Sequence, residues 1–126
     1  MYSDDVLMFF SGPPAALPLY GAFVDKLSRS CKNYDTRVQK TQISFSTRHV
    51  FACISFARVR KKAELPDPYI VVTLGLPTPL DSERIAVKTE AYPGRWTHHI
   101  VIGSKDELDD VLMKWTRAAY DFSMQK

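Results

Sequence analysis

Residues 69–102 read YIVVTLGLPTPLDSERIAVKTEAYPGRWTHHIVI, and this stretch decides the fold class. Three runs rich in β-branched and other apolar side chains, 69–76, 84–92 and 96–102, are separated by proline-containing loops. No stretch with a helical period lies between them, so hairpins join successive strands and the sheet is mainly antiparallel. Both faces of the first run are mostly apolar, which predicts a central, well-covered strand.

Two further strands are predicted upstream, at 36–46 and 50–58. Side chains alternate between the two faces of a strand. In the first of these strands, Ile43 and Phe45 therefore lie on an apolar face. The opposite face is a polar row of Lys40, Gln42 and Ser44.

Helices are predicted at both ends of the chain. A short helix capped by Ser3 or Asp4 runs to Phe10, and a longer one runs from about 15 to 31. The longer helix carries the apolar stripe Leu17, Tyr20, Val24, Leu27 and Cys31. The last helix begins at a capping box formed by Ser104 and Glu107. Its apolar stripe is Leu108, Val111, Leu112, Trp115, Ala119 and Phe122.

Terminal helices that together cover one face of such a sheet give a two-layer α+β domain of about five or six strands. A length of 126 residues fits a single domain spanning 1–126. The hydrophobic fraction of 45% and the charged fraction of 25% exclude a disordered chain. The domain therefore needs no metal or disulfide to fold.

The net charge and the N-terminal sequence exclude few classes of binding partner. A net charge of +3 permits an anionic partner without implying one. The apolar run 6–10 is far too short to cross a bilayer, and the residues before it are acidic, unlike a signal peptide. We expect a cytoplasmic protein without a membrane partner. Cys31 and Cys53 lack metal-site spacing and are expected to be small buried thiols, so no metal or cofactor is predicted.

Four segments carry a family resemblance: VQKTQISF at 38–45, FACISF at 51–56, RWTHH at 95–99 and AAY at 118–120. Because of these segments, the chain resembles the bacterial DUF5655 family, a family of unknown function. The resemblance covers nearly the whole chain. The resemblance implies one complete module and leaves its chemistry open. Some relatives are labelled predicted transport proteins, and related domains are fused to nuclease-like domains. Because no transmembrane segment is visible here, we expect no channel or carrier role.

The first candidate site is the polar row. If the helices cover the Ile43 and Phe45 face, Lys40, Gln42 and Ser44 point to solvent together and could bind an anionic or polar ligand. The alternative is the ordinary solvated face of an antiparallel sheet.

The second candidate is the RWTHH segment. His98 and His99 must point to opposite faces of a regular strand, so one is inward and the other exposed. An exposed imidazole beside Arg95 and the Lys40 row could transfer protons or bind an anion. The alternative is one structural and one surface histidine. A metal site is disfavoured because adjacent strand histidines diverge and no third ligand is evident.

The third candidate is a basic loop. Arg58, Arg60, Lys61 and Lys62, near Arg48, could contact phosphates of nucleic acid. Stacking surfaces could come from Tyr69, Tyr92 and Trp96. The alternative is a solubilising loop that protects a strand end from pairing.

The fourth candidate is a second ridge on the last helix, Met113, Thr116 and Tyr120, which could contact a second copy or cover the sheet edge. Catalytic triads, phosphate-binding loops and zinc-protease motifs are absent from the sequence. The leading hypothesis is thus a non-catalytic binding module for an anionic or polar ligand, with nucleic acid as an extension. The alternatives are a small enzyme using His98 or His99 as general base and an oligomerisation or protein-interaction domain that forms a homodimer.

Overall fold

The computed structural model describes residues 2–125 of the chain. Within that range the chain forms a six-stranded antiparallel sheet and three α-helices. The strands are β1 (Asp35–Val38), β2 (Gln42–Ser46), β3 (Val50–Ser55), β4 (Ile70–Leu76), β5 (Ile85–Tyr92) and β6 (Arg95–Ile102). The helices are α1 (Asp4–Phe9), α2 (Leu17–Ser30) and α3 (Asp110–Ser123). The predicted α+β class is confirmed.

The strand order is β1-β2-β3-β4-β6-β5, so β6 lies between β4 and β5. This places β4 near the middle of the sheet, as the apolar character of both its faces predicts. β5 is an edge strand and is mostly exposed. The β5–β6 hairpin closes on Pro93 and Gly94, and Gly94 takes a φ of +83° that favours glycine.

A tight turn divides the stretch predicted as one strand over 36–46. β1 and β2 flank this turn, and the N–H of Gln39 donates to the carbonyl of Gln42 at 2.8 Å. Lys40 therefore lies in the turn, and the prediction that it continues the strand is wrong. The turn residues include no glycine, proline or asparagine, so the usual turn signal is missing.

One face of the sheet is covered by helices. Register places a row of fully buried aliphatic side chains across four strands of this face: Ile43, Ile54, Val72 and Ile100. Phe45 contacts Tyr20 and Phe23 of α2, with ring centroids 6.4 and 5.8 Å apart. Phe51 contacts Tyr120 of α3 at 5.4 Å. The predicted placement of both terminal helices on the Ile43 and Phe45 side is confirmed.

The buried side of α2 differs in part from the predicted stripe. The helix begins at Leu17 after a 3-10 turn, with Pro18 in its first turn, where proline is tolerated. Its buried residues are Leu19, Tyr20, Phe23 and Leu27, and Cys31 is buried just beyond the helix. Leu17 and Val24 are only half-buried.

The predicted capping box exists but does not start α3. Ser104 and Glu107 cap a 3-10 turn, and the carboxylate of Glu107 accepts the N–H of Gly103 at 2.7 Å. A second cap follows, where the Asp109 carboxylate accepts the N–H of Leu112 at 3.0 Å. The last helix therefore begins at Asp110, later than predicted.

The side chains of α3 that meet the sheet also differ from the predicted stripe. Val111, predicted to lie in the apolar stripe, is 49% exposed, whereas Leu112 is fully buried. Thr116 and Tyr120 of the predicted second ridge are also buried. The Tyr120 hydroxyl donates to the backbone carbonyl of Lys32. The ridge thus packs into the protein instead of standing free for a second copy.

The opposite face, which α2 and α3 leave uncovered, is termed the open face. At the sheet end where β3 stops, the connection 56–69 folds across this face. Pro66 packs against Gly103 so closely that a Cβ on the glycine would clash with the proline ring. Val71 of β4 is consequently fully buried although it points to the open face.

Candidate functional site

A second row of polar side chains, different from the predicted polar row, crosses the middle of the open face. The strand register brings together Ser44 of β2, Cys53 of β3, Thr73 of β4 and His99 of β6. Thr73 Oγ1 and His99 Nδ1 are 2.8 Å apart and hydrogen-bonded. Cys53 Sγ donates weakly to Ser44 Oγ at 3.9 Å. The row therefore contains hydroxyl, thiol and imidazole groups and no carboxylate.

The β2 end of this row is satisfied within the protein. Ser44 Oγ donates to Oε1 of Gln39 at 2.9 Å, and Gln42 Nε2 donates to Ser44 Oγ at 3.2 Å. These contacts leave Ser44 only 5% exposed. Ser44 was predicted as a ligand-binding residue, but in the structure it is buried, and its hydroxyl is hydrogen-bonded to the side-chain amides of Gln39 and Gln42.

Next to this row, the open face contains a groove with a volume of about 490 Å³. Its polar lining comes from Lys40, Thr41, Gln42, Ser55, Thr73 and His99. Its apolar lining comes from Phe9, Phe56 and Ala57. The rings of Phe9 and Phe56 stack with their centroids 5.1 Å apart, which fixes the apolar wall. This volume and mixture of groups are typical of small-molecule sites.

His99 is a titratable group that lines the open-face groove. Burial lowers the pKa of its half-buried imidazole, so the ring is neutral at neutral pH. Thr73 pairs with Nδ1, and no hydrogen-bond partner for Nε2 occurs within residues 2–125. A neutral imidazole with one free nitrogen can donate one hydrogen bond to a ligand or accept one from it, depending on the tautomer.

His98 points the other way and is fully buried beneath the helix-covered face. Its Nε2 accepts the N–H of Leu80 at 3.0 Å, and Nδ1 lies 3.4 Å from the carbonyl of Leu74. Burial lowers the pKa of this imidazole, and the nearby Lys88 ammonium lowers it further. His98 therefore anchors the β4–β5 loop and does not contribute to the open face.

Arg95 lies on the open face at the end away from Lys40. Its guanidinium packs over Gly75 and donates to the backbone carbonyl of Val50 at 3.0 Å. Arg95 and Lys40 therefore lie on the same face of the sheet but at opposite ends of it.

Burial raises the pKa of the Cys53 thiol, whereas the hydrogen bond to Ser44 and the nearby Arg95 lower it by smaller amounts.

The predicted basic loop and Arg48 are at opposite ends of β3. Arg48 is in the turn before that strand, whereas Arg58, Arg60, Lys61 and Lys62 follow its end. A six-residue strand spans about 17 Å, so the prediction that Arg48 lies near the loop is wrong. Arg48, Arg58, Lys61 and Lys62 are exposed.

The aromatic side chains predicted to stack with nucleobases are not gathered on one surface. Tyr69 donates its hydroxyl to the carbonyl of Phe56 at 2.8 Å. Trp96 is half-buried on the helix-covered face, where it precedes His98 by two residues. Tyr92 is exposed beside the β5–β6 turn. The open face therefore lacks a track of stacking platforms.

Thr73, Phe9 and Phe56 line the groove but are not among the site residues that the sequence predicts. Alternation along β4 indicates the face on which Thr73 lies, but its pairing with His99 requires knowledge that β4 and β6 are neighbours. Phe9 is brought in by α1, whose position relative to the sheet has no local sequence signal. Among residues 2–125, no cluster of three or more His, Cys, Asp or Glu could hold a metal ion. No helix in the described range is long and apolar enough to cross a membrane.

Fold and groove together define an open-faced α+β domain, with helices on one side of an antiparallel sheet and a polar groove on the other. The chain belongs to the DUF5655 family, described as a domain of unknown function, whose sequence profile matches residues 8–123. The predicted family resemblance is therefore confirmed. Comparisons with the curated proteins and with the solved structures find no similar protein.

Proposed function

We propose that this domain is a binding module whose open-face groove holds a small polar or anionic ligand. The observation that carries the proposal is that Gln42, Thr73, His99 and Lys40 line one concavity with an apolar wall. Hydrogen-bonding groups on a sheet floor orient a ligand, and the wall supplies buried apolar contact. Strands β2, β4 and β6 position Gln42, Thr73 and His99, and Lys40 reaches the groove from the turn before β2.

The charge of the groove favours acceptors and anions over cations. Lys40 is exposed at its rim, and no carboxylate is among the described residues that line it. His99 is neutral and cannot repel a cation strongly, but it also supplies no negative charge. A cationic ligand would therefore find no counter-charge in the groove.

A nuclear magnetic resonance screen against small carboxylates, phosphates and amides tests this proposal. Ligands should shift the backbone amide resonances of Gln42, Ser55, Thr73 and His99. The Ser55→Tyr variant should abolish binding, because a large ring would fill the groove from its floor. Thr89→Tyr is the matched control, since Thr89 lies on the open face of β5 outside the groove. Ligands that shift resonances elsewhere, or that bind Ser55→Tyr normally, would contradict the proposal.

A catalytic role for His99 is the second candidate. The observation that favours it is the neutral imidazole in a concavity, with Thr73 orienting Nδ1 at 2.8 Å. Cys53 is separated from His99 by Thr73 in the row, and burial raises the pKa of its thiol. The groove thus offers a base without an activated nucleophile or a second acid, and binding accounts for it more simply. Turnover of a groove ligand that His99→Gln abolishes while binding persists would favour catalysis.

A further inference from the structure

We propose that the groove ligand is a phosphate ester of a flat ring system, with the ring in the groove and the phosphate at its basic rim. This inference rests on the proposed function and names the chemical class of the ligand. Its basis is the position of the basic connection after β3 relative to the groove.

The groove and the basic connection lie at the same end of the sheet. Gln42, which begins β2, pairs with Ser55, which ends β3. Lys40 and Ala57 both line the groove, and Arg58 directly follows Ala57. The chain then continues through the exposed Lys61 and Lys62. The polar row and the basic loop, separate in the sequence, therefore meet at one rim.

The rim cations are not neutralised by carboxylates. The ion pairs found in the described part of the chain involve Arg29, Arg84 and Arg117. None of them uses Lys40, Arg58, Lys61 or Lys62. Asp5 lines an adjoining groove together with Phe9 and Lys40.

Arg60 is not part of the proposed phosphate site. It lines a separate groove of about 190 Å³ with Glu64, Arg84 and Glu107, where two acids balance two arginines. Its guanidinium lies 3.4 Å from the backbone carbonyl of Glu83. Of the remaining basic residues, Lys40 lines the open-face groove, and the exposed Arg58 directly follows Ala57 of its lining. Lys61 and Lys62 are exposed further along the same connection.

The interior of the groove suits an uncharged flat ring. Phe9 and Phe56 form its apolar wall, and Gln42, Thr73 and His99 offer hydrogen bonds to ring nitrogens and carbonyls. Two or more cations at the mouth match a phosphoryl group, whose charge is spread over several oxygens. A volume of about 490 Å³ holds one such unit and not a chain of stacked nucleotides.

Calorimetric titration with two matched pairs tests the inference: adenosine 5′-monophosphate against adenosine, and pyridoxine 5′-phosphate against pyridoxine. At least one phosphate ester should bind about ten-fold or more tightly than its dephosphorylated partner, with an advantage that shrinks as salt rises. The double variant Lys40→Gln/Arg58→Gln should reduce that affinity to the level of the dephosphorylated compound. Lys105→Gln/Lys114→Gln removes the same charge from exposed positions outside the groove and should leave binding unchanged.

Three results would overturn the inference. In the first, neither phosphate ester binds more tightly than its partner. In the second, the Lys40/Arg58 variant binds the ester as tightly as the wild type does. In the third, a single-stranded oligonucleotide binds more tightly than both esters and is unaffected by Ser55→Tyr, which would indicate nucleic-acid binding outside the groove. If adenosine or pyridoxine alone binds and Ser55→Tyr blocks it, the groove proposal stands while the phosphate proposal fails.

Discussion

The guanidinium of Arg95 occupies the space over Gly75, where a Cβ would lie 2.5 Å from its Nη2. The same guanidinium donates to the carbonyl of Val50 at 3.0 Å, so it bridges β6 across β4 to the start of β3. Arg95 was predicted as a ligand-binding residue. In the structure its hydrogen-bonding capacity is partly used in closing this end of the open face.

Gly75→Ala should destabilise the protein by about 0.5–1.5 kcal/mol, because the methyl group displaces the flexible end of the Arg95 side chain and breaks its hydrogen bond to Val50. In an Arg95→Ala background the same substitution should be neutral, or stabilising by up to about 1 kcal/mol, since glycine is unfavourable within a strand. Urea unfolding of the four proteins in this double-mutant cycle measures the coupling. Equal effects of Gly75→Ala in both backgrounds would show that the two residues do not interact.

Leu112 and Val111 are neighbours on α3 that sequence analysis placed in the same apolar stripe. Leu112→Ala should reduce the free energy of unfolding by about 2–5 kcal/mol, because the side chain is fully buried. Val111→Ala should change it by no more than about 0.5 kcal/mol, because the side chain is 49% exposed. Urea unfolding of both variants checks the phase of the helix. Similar losses for the two substitutions would restore the phase that the sequence alone predicts.

Stability should fall as the pH drops below the usual histidine pKa of about 6.5, because burial lowers the pKa of His98 and His99 in the folded state. Below this pH the unfolded chain binds more protons than the folded protein does. The contribution of the two histidines to the free energy of unfolding is therefore fully present only above about pH 6.5. It is lost as the pH falls from there towards the lower folded pKa. The slope is at most about 1.4 kcal/mol per pH unit for each histidine.

Urea unfolding at a series of pH values above about 5, where ordinary carboxylates remain ionised, measures this loss. His98→Gln should flatten the profile, and the imidazole resonances of the wild type give the two folded pKa values independently. A folded pKa of His98 at or above its usual value would show that its burial and its bond from Leu80 are misplaced.

Sequence patterns were sufficient for the fold class because strand alternation and the apolar stripes of the end helices are local signals. The break at Lys40 was missed because its turn carries no conventional turn residue. Regular alternation along β5 would place Ile85 and Val87 on the same face, and the structure differs at this point. A register shift between Ile85 and Val87 pairs Ile85 with Ile100 and Val87 with His99, on opposite faces of the sheet.

The site depended on pairing that no local pattern encodes. The sequence required His98 and His99 to diverge but could not say which one the helices cover. It also could not show that β6 lies beside β4, which is what brings Thr73 to His99. Likewise, the closeness of Lys40 to the chain after β3 follows from the β2–β3 register. These contacts depend on strand order and register, which are set by packing of the whole domain.

Chemical modification of the imidazoles tests the sidedness of β6, on which the groove depends. Native protein is treated briefly with diethyl pyrocarbonate near neutral pH, and tandem mass spectrometry assigns the modified histidines. His99 should react in the folded protein through its free Nε2, whereas His98 should react only after unfolding in urea. Rapid modification of His98 with protection of His99 would place the open groove on the wrong side of the sheet and contradict the account.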